Sequence, residues 1–162
     1  MLARRDHSER EIREALLDKG HEPDAIEEAV GRLRAERLLD DKGFAARYAR
    51  SRLQHRGLGR HRLRQGLRAK GVSKGDAEAG LKDALEQVSE ADVLDGLARR
   101  YWKSRTGQAP ERKLRNLWAF LLRRGFPATL VVLRLRALWP RWQDALEGLD
   151  PAEPEPSGGD DD

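Results

Sequence analysis

Apolar side chains recur three and four residues apart along most of the chain, which is the spacing of one face of an α-helix. The first stripe begins at Ile12 and Leu16. It is preceded by Ser8 and Glu11, whose spacing is that of a capping box. Gly20 follows as a helix-ending glycine. No segment alternates apolar and polar residues over a strand's length, so the pattern predicts an all-α fold.

The same reasoning places further helices along the chain. One begins near Pro23, with Ile26, Ala29 and Val30 on its apolar face and Leu38–Asp41 at its end. Later stripes predict helices at about 42–56, 60–70, 73–88, 90–104, 110–125 and 127–139, with a last turn or two over 142–149. On the first helix, Ala15 is expected to face inward beside Leu16.

Three predicted helices end alike, in Leu16–Gly20, Leu67–Gly71 and Leu121–Gly125, which are 51 and 54 residues apart. Self-similarity at such a period indicates units that pack mainly on their neighbours. We therefore predict tandem three-helix repeats in an elongated, curved array. The expected divisions are 1–39, 40–89 and 90–149, followed by a disordered acidic tail over 150–162.

Composition is consistent with thin helical layers, because 38% of the 162 residues are hydrophobic and 37% are charged. The net charge is +4, but the tail contributes six acids and no base, so residues 1–149 carry +10. That tail is expected either to keep the chain soluble or to compete, as an internal polyanion, for a basic face. The chain has no cysteine, no secretory leader and no apolar run of about 20 residues, so we expect a soluble, cytoplasmic protein without disulfides.

Positive charge is concentrated between Asp41 and Asp76, where residues 42–74 hold eleven Lys or Arg and no acid. A solvated surface would normally interleave glutamates, so the alternative of a surface for an anionic partner is favoured. The candidate contact residues of this stretch are Arg47, Arg50, Arg56, Arg60, Arg64 and Arg68. A second, weaker cluster comprises Arg99, Arg100 and Lys103, with Arg105 beside it.

Arg60, Arg64 and Arg68 are four residues apart and predict one continuous row on a helix. Like charges at this spacing repel, so the row needs a compensating anion, which a partner could supply. If the row is the contact, reversing all three charges should abolish function while leaving helicity intact.

Catalytic patterns are absent from the sequence. It contains no phosphate-binding P-loop and no G-x-S-x-G motif, and its four histidines lack metal-ligand spacing. We therefore predict no catalytic residue, no cofactor and no metal. The tryptophans lie among apolar residues and are expected in the core or between repeats, with Trp142 the most exposed; only Tyr48 lies within the basic stretch.

The repeated helix ends, together with Leu39–Ala45, resemble the RecX family. Leu2–Ser8 is similar to the opening signature of that family and Phe120–Phe126 to its closing one, so the resemblance spans about residues 2–139. Only Leu2–Arg5 stand where the family has a full leading helix, so the first repeat is expected to be short and its apolar residues under-covered.

The resemblance implies a monomeric regulator of the RecA recombinase. Such a protein binds within the groove of the RecA–DNA filament and typically depresses ATPase, strand-exchange and co-protease activities, which regulates DNA repair and recombination. The alternative from a different class is a basic module that binds DNA without sequence preference and without RecA.

Overall fold

The computed structural model describes residues 7–36 and 38–140. These residues form helices and no strand, which confirms the predicted all-α class. The helices are α1 (Glu9–Leu17), α2 (Pro23–Ala35), α3 (Asp41–Arg56), α4 (Arg60–Ala69), α5 (Lys74–Gln87), α6 (Glu90–Ser104), α7 (Pro110–Arg123) and α8 (Ala128–Leu138). Three predicted features lie outside the described residues: the last helical turn over 142–149 with Trp142, the acidic tail, and most of the opening signature.

Short-range signals place the helix ends. The capping box is formed, because the Ser8 hydroxyl accepts from the Glu11 amide at 3.3 Å while Glu11 Oε2 accepts from the Ser8 amide at 3.0 Å. Asp40 caps α3 by accepting from the Gly43 amide at 2.8 Å. Gly20 has the positive φ of 82° expected after a helix end.

Two predictions near the first helices are wrong. Ala15 is exposed, because the buried stripe of α1 narrows to Ile12 with Leu16 half-buried. Leu38 does not close α2, which ends three residues earlier, and its side chain is 60% exposed. In contrast to the expected under-coverage, Ile12 and Ile26 are buried.

The described chain divides into two compact units. The first comprises the residues up to Arg56 together with Leu63–Val88, and the second comprises Gly57–Arg62 together with the residues from Ser89 onward. The division into three repeats of three helices stays a prediction.

The core of the first unit forms where α3 and α5 approach closely. It contains Phe44, Ala45, Leu67, Val72 and Ala77. A methyl group added at Gly80 would lie 2.6 Å from Ala45 Cβ and 2.7 Å from the Lys42 carbonyl oxygen, so only glycine allows this approach.

The second unit packs α6, α7 and α8 around Leu94, Leu117, Leu121 and Leu135, all fully buried. The turn before α4 also belongs to this unit. Its Gly59 amide donates to the Arg124 carbonyl at 2.8 Å, and its His61 amide donates to the Gly125 carbonyl at 3.0 Å. Trp102 and Trp139 pack with their ring centroids 4.7 Å apart, but both are only half-buried and neither belongs to the buried core. Among the described helices, none combines the length and apolar character that crossing a membrane needs.

Candidate polyanion-binding site

One face of α3 is apolar and the rest of the helix is basic. Phe44, Ala45, Ala49 and Leu53 are buried at helical spacing. Because these positions fix the rotation of α3, the arginines between them are directed away from the core.

The outward part of α3 borders a cleft of about 610 Å³, to which the end of α4 also contributes. The lining includes no acidic residue. Its basic members, which together with Phe44 and Tyr48 define the α3 cleft, are Arg47, Arg50, Arg52, His55, Arg56 and Lys70. A concave surface lined by one sign of charge raises the local concentration of the opposite charge.

Contacts within the first unit hold two of these arginines in place. Arg50 Nη1 donates to Gln87 Oε1 at 2.5 Å. The Arg52 guanidinium carbon lies 5.4 Å from the centroid of the Tyr48 ring, and that ring stacks on Phe44 at 6.1 Å. Because neither contact is with a carboxylate, both guanidinium groups keep their positive charge and can still donate hydrogen bonds to a partner.

Lys70 is held differently, because it has a carboxylate partner. Its ammonium pairs with Glu11, and its carbonyl accepts from the buried Ser8 hydroxyl at 2.6 Å. Burial raises the pKa of Glu11, but the hydrogen bonds from Lys70 and the Ser8 amide, together with the charges of Lys70 and His7, outweigh it. The pKa of Glu11 therefore lies below its ordinary value of 4.5.

The predicted row on α4 is largely neutralised within the chain. In the second unit, Glu90 is buried and accepts from the Arg60 amide at 2.8 Å and from Arg60 Nε at 2.7 Å. In the first unit, Arg64 Nε donates to Glu78 Oε1 at 2.6 Å and Arg64 Nη2 to Glu78 Oε2 at 3.0 Å. Arg68 is exposed at the end of the helix. The compensating anions that the row requires thus come from the fold.

The second predicted cluster lies on α6 in the second unit. Arg99, Arg100 and Lys103 are all exposed. None of the three forms an ion pair with a residue that the structure describes. Their charge is therefore open to solvent or to a partner.

The structure brings Arg47, Arg50 and Arg56 together at one cleft and adds Arg52, His55 and Lys70 to them. Arg52 had a signal in the sequence, because it lies four residues after Tyr48 and can stack on its ring. Lys70 lies in the repeated helix end Leu67–Gly71, where a base is favoured by the helix dipole, and His55 has no distinguishing signal in the sequence. Over residues 7–36 and 38–140, no group of three His, Asp or Glu side chains is arranged to hold a metal ion.

Two family models match the chain. The model described as "RecX, first three-helix domain" matches residues 1–33, and the model described as "RecX, second three-helix domain" matches residues 40–81. The second match contains all of α3 and α4, and therefore the whole α3 cleft. Two successive three-helix domains also support the predicted tandem helical repeats.

Curated relatives match over most of the chain. The "Regulatory protein RecX" of Halorhodospira halophila is 38% identical over 134 residues, covering 81% of this chain and 79% of that protein. The protein of the same name from Haemophilus influenzae is 30% identical over 127 residues, covering 78% and 82%.

Solved structures agree with the fold. One described as "Crystal structure of regulatory protein RecX" matches with a TM-score of 0.72 and 25% identity, over 83% of this chain and 67% of that chain. The RecX structure from Lactobacillus salivarius matches with a TM-score of 0.75 over 85% of this chain and 88% of that chain. Its identity of 21% supports the fold alone.

Proposed function

This chain belongs to the RecX family, and we propose that it is a non-enzymatic regulator that binds the filament of a RecA recombinase on DNA and inhibits it. The relatives at 38% and 30% identity are named regulatory proteins, which supports a regulatory role. RecA as the partner, and inhibition as the effect, are what the family resemblance implies. The resulting control would act on DNA repair and recombination.

The α3 cleft is the observation that carries this proposal. It is concave, its lining has six basic residues and no acid, and it lies inside the region matched by the second RecX domain. Arginine forks bind carboxylates and phosphates in pairs of parallel hydrogen bonds, so the cleft suits an acidic protein groove or a nucleic-acid backbone.

The predicted contact residues differ in how readily they can bind the proposed partner. Arg47, Arg50 and Arg56 line the cleft and are our first candidates, with Arg52 and Lys70 beside them. Binding through Arg60 or Arg64 would require breaking or sharing an existing pair with Glu90 or Glu78. The remaining candidates are Arg68 on α4 and the cluster of Arg99, Arg100 and Lys103 on α6.

A titration of RecA ATPase activity tests the function. Single-stranded-DNA-dependent ATP hydrolysis is measured while this protein is added at amounts well below one per RecA protomer. We expect progressive inhibition, because one bound regulator affects many protomers. Inhibition that begins only when the protein saturates the DNA would contradict the proposal and favour simple competition for phosphate.

A cleft variant links the result to the site. Substituting Gln for Arg47, Arg50 and Arg56 should shift the inhibition curve by about 100-fold, which corresponds to the loss of two charge-assisted contacts worth about 1.5 kcal/mol each. The matched control substitutes Gln for Arg112, Arg115 and Arg136, which are exposed on α7 and α8. Equal shifts in the two variants would mean that net charge, and not the cleft, governs inhibition.

A further inference from the structure

The basic surface of α3 has a counterpart on α6. Ala45, Arg47, Tyr48, Arg50 and Arg52 are each matched 53 residues later, in the same order. The matching residues are Ala98, Arg100, Tyr101, Lys103 and Arg105. The whole set is shifted by a single interval, so the spacing between its members is identical, with Arg52 inside α3 and Arg105 just after the end of α6.

Three of the five matched positions also have the same degree of burial, each within its own unit. Ala45 and Ala98 are fully buried, whereas Arg47 and Arg100 are exposed. Tyr48 and Tyr101 are both half-buried. Arg50 and Arg52 are half-buried whereas Lys103 and Arg105 are exposed, so the matched basic residues lie outside the core of both units but are more covered on α3.

The cation–aromatic contact is repeated as well. Arg52 lies 5.4 Å from the Tyr48 ring centroid, and Arg105 lies 5.3 Å from that of Tyr101. Each tyrosine also packs on a phenylalanine, at 6.1 Å for Tyr48 and at 5.1 Å for Tyr101 with Phe120. A helix-packing role alone requires the alanine and the aromatic ring, and leaves the stacked arginine unexplained.

The end of the following helix contributes a base in both units. Lys70, just after α4, lines the α3 cleft. Its counterpart 54 residues later is Arg124, just after α7, which lies 5.1 Å from the centroid of the Phe120 ring. Both units thus combine a basic helix face, a stacked arginine and a base from the next helix.

We propose that α3 and α6 carry two copies of one anion-binding surface, and that these bind two equivalent acidic side-chain groups of a repeating protein assembly. This inference rests on the proposed function, for which the RecA filament is the repeating assembly. Two copies of one surface can be occupied together only by a partner that presents the same chemical group more than once. Linking two weak sites in one chain raises the overall affinity without any new contact.

Protein carboxylates fit these surfaces better than nucleic-acid bases. Proteins that bind single strands use open aromatic faces on which bases stack. Here Tyr48 and Tyr101 are each occupied by an arginine and a phenylalanine of the same chain. What each surface offers is guanidinium and ammonium groups, which recognise oxygen anions.

Three variants of the full chain test the pairing of the surfaces. R47Q/R50Q/R52Q removes the α3 surface, R100Q/K103Q/R105Q removes the α6 surface, and R112Q/R115Q/R136Q is the control with the same change of charge. The dissociation constant for a preformed RecA–single-stranded-DNA filament is measured at several salt concentrations. We expect each surface variant to weaken binding by about 10-fold or more and the control by less than about 3-fold. An α6 variant that behaves like the control would overturn the inference.

The stacked arginines support the fold, so a second pair of variants omits them. R47Q/R50Q and R100Q/K103Q leave Arg52 and Arg105 on their tyrosines, and thermal melts establish that both are folded. We expect both of these variants to bind the filament more weakly than the wild type and with dissociation constants similar to each other. A folded α6 pair with wild-type affinity would again overturn the inference.

Two simple polyanions distinguish this inference from the proposed function. The same variants are titrated with poly-L-glutamate and with a single-stranded DNA oligomer, both without RecA. If the wild type fails to bind the filament but both surface variants lose affinity for polyglutamate, the RecA proposal fails and the paired surfaces stand. A loss confined to the DNA oligomer would overturn the assignment to carboxylates.

Discussion

The α3 cleft and the arginine row on α4 come from one continuous basic stretch, yet the fold treats their charge differently. Two of the three arginines of the row form ion pairs within the chain, Arg60 with Glu90 and Arg64 with Glu78. The cleft gathers six basic residues with no acid in its lining, although Lys70 pairs with Glu11 from outside that lining. Charge density along the sequence therefore shows how much positive charge is present, and the fold determines where carboxylates are placed against it.

Charge reversal is expected to give the largest difference between the two regions. R47E/R50E/R56E should lower affinity for the RecA filament by about 1,000-fold, because each contact becomes a repulsion. R60E/R64E/R68E should instead lower stability, since a new acid would face the buried Glu90. Binding isotherms and thermal melts of both variants distinguish the two. If the row variant is well folded but loses affinity for the filament about 1,000-fold, while the cleft variant loses none, then the row and not the cleft is the contact surface.

Removing the carboxylate that holds the row should cost stability and not binding. Glu90→Ala leaves the Arg60 amide and guanidinium without their acceptor, and we expect a loss of about 3 kcal/mol in the free energy of unfolding. Glu78→Ala is the matched control: its pair with Arg64 is about 40% exposed on both sides, so the expected loss is below about 1 kcal/mol. Urea denaturation measures both, and equal losses would contradict the role assigned to burial.

Arg50 of the cleft is held by Gln87 of α5, so the close approach of α3 to α5 can be tested at Gly80. Gly80→Ala places a methyl group against Ala45 and the α3 backbone, so we expect a loss of about 2 kcal/mol and weaker filament binding. Gly75→Ala on the same helix meets only the Ser73 hydroxyl at 3.9 Å and should cost nothing measurable. If the two variants unfold at the same urea concentration, the close approach is not required.

The smallest expected effect concerns Lys70, whose ammonium group pairs with Glu11. Because the pKa of Glu11 is lowered, its stabilising contribution is complete above pH 4.5 and is lost as the pH falls below that value. Glu11→Gln should therefore be less stable than the wild type at pH 7, and the difference should shrink on acidification. Thermal melts at pH 7 and at a pH below 4.5 measure this difference. The control is Glu14→Gln, because the pair of Glu14 with Arg10 is exposed. A difference that is constant with pH would contradict the pairing.

The sequence alone predicts the helices of this fold well, because their signals are local. The capping box at Ser8, the glycine at Gly20 and the apolar stripe of α3 each act within a few residues. Its errors at Ala15 and Leu38 occur where a stripe is narrower or a helix shorter than the apolar pattern indicates. Such boundaries depend on packing against other elements.

Predicting the site from sequence is harder, because neutralisation acts over longer distances. Glu90 lies 30 residues after Arg60, and Glu78 lies 14 residues after Arg64. Nothing in the local pattern pairs them, so the row and the cleft are indistinguishable in sequence. Lys70 was likewise accounted for by its helix end, and only the fold places it beside α3.

The ends of α4 are completed at different times during synthesis. Its last turn belongs to a unit whose residues are all made once Val88 has left the ribosome. Its first turn obtains its hydrogen-bond partners from Glu90 and Gly125, and the preceding turn obtains its partner from Arg124. The start of α4 must therefore wait while about 65 further residues are translated, a delay of several seconds at ordinary elongation rates. A ribosome-bound chain that stops just after Val88 has emerged, with Gly125 still inside the ribosome, would hold a finished first unit and an α4 whose first turn is still frayed.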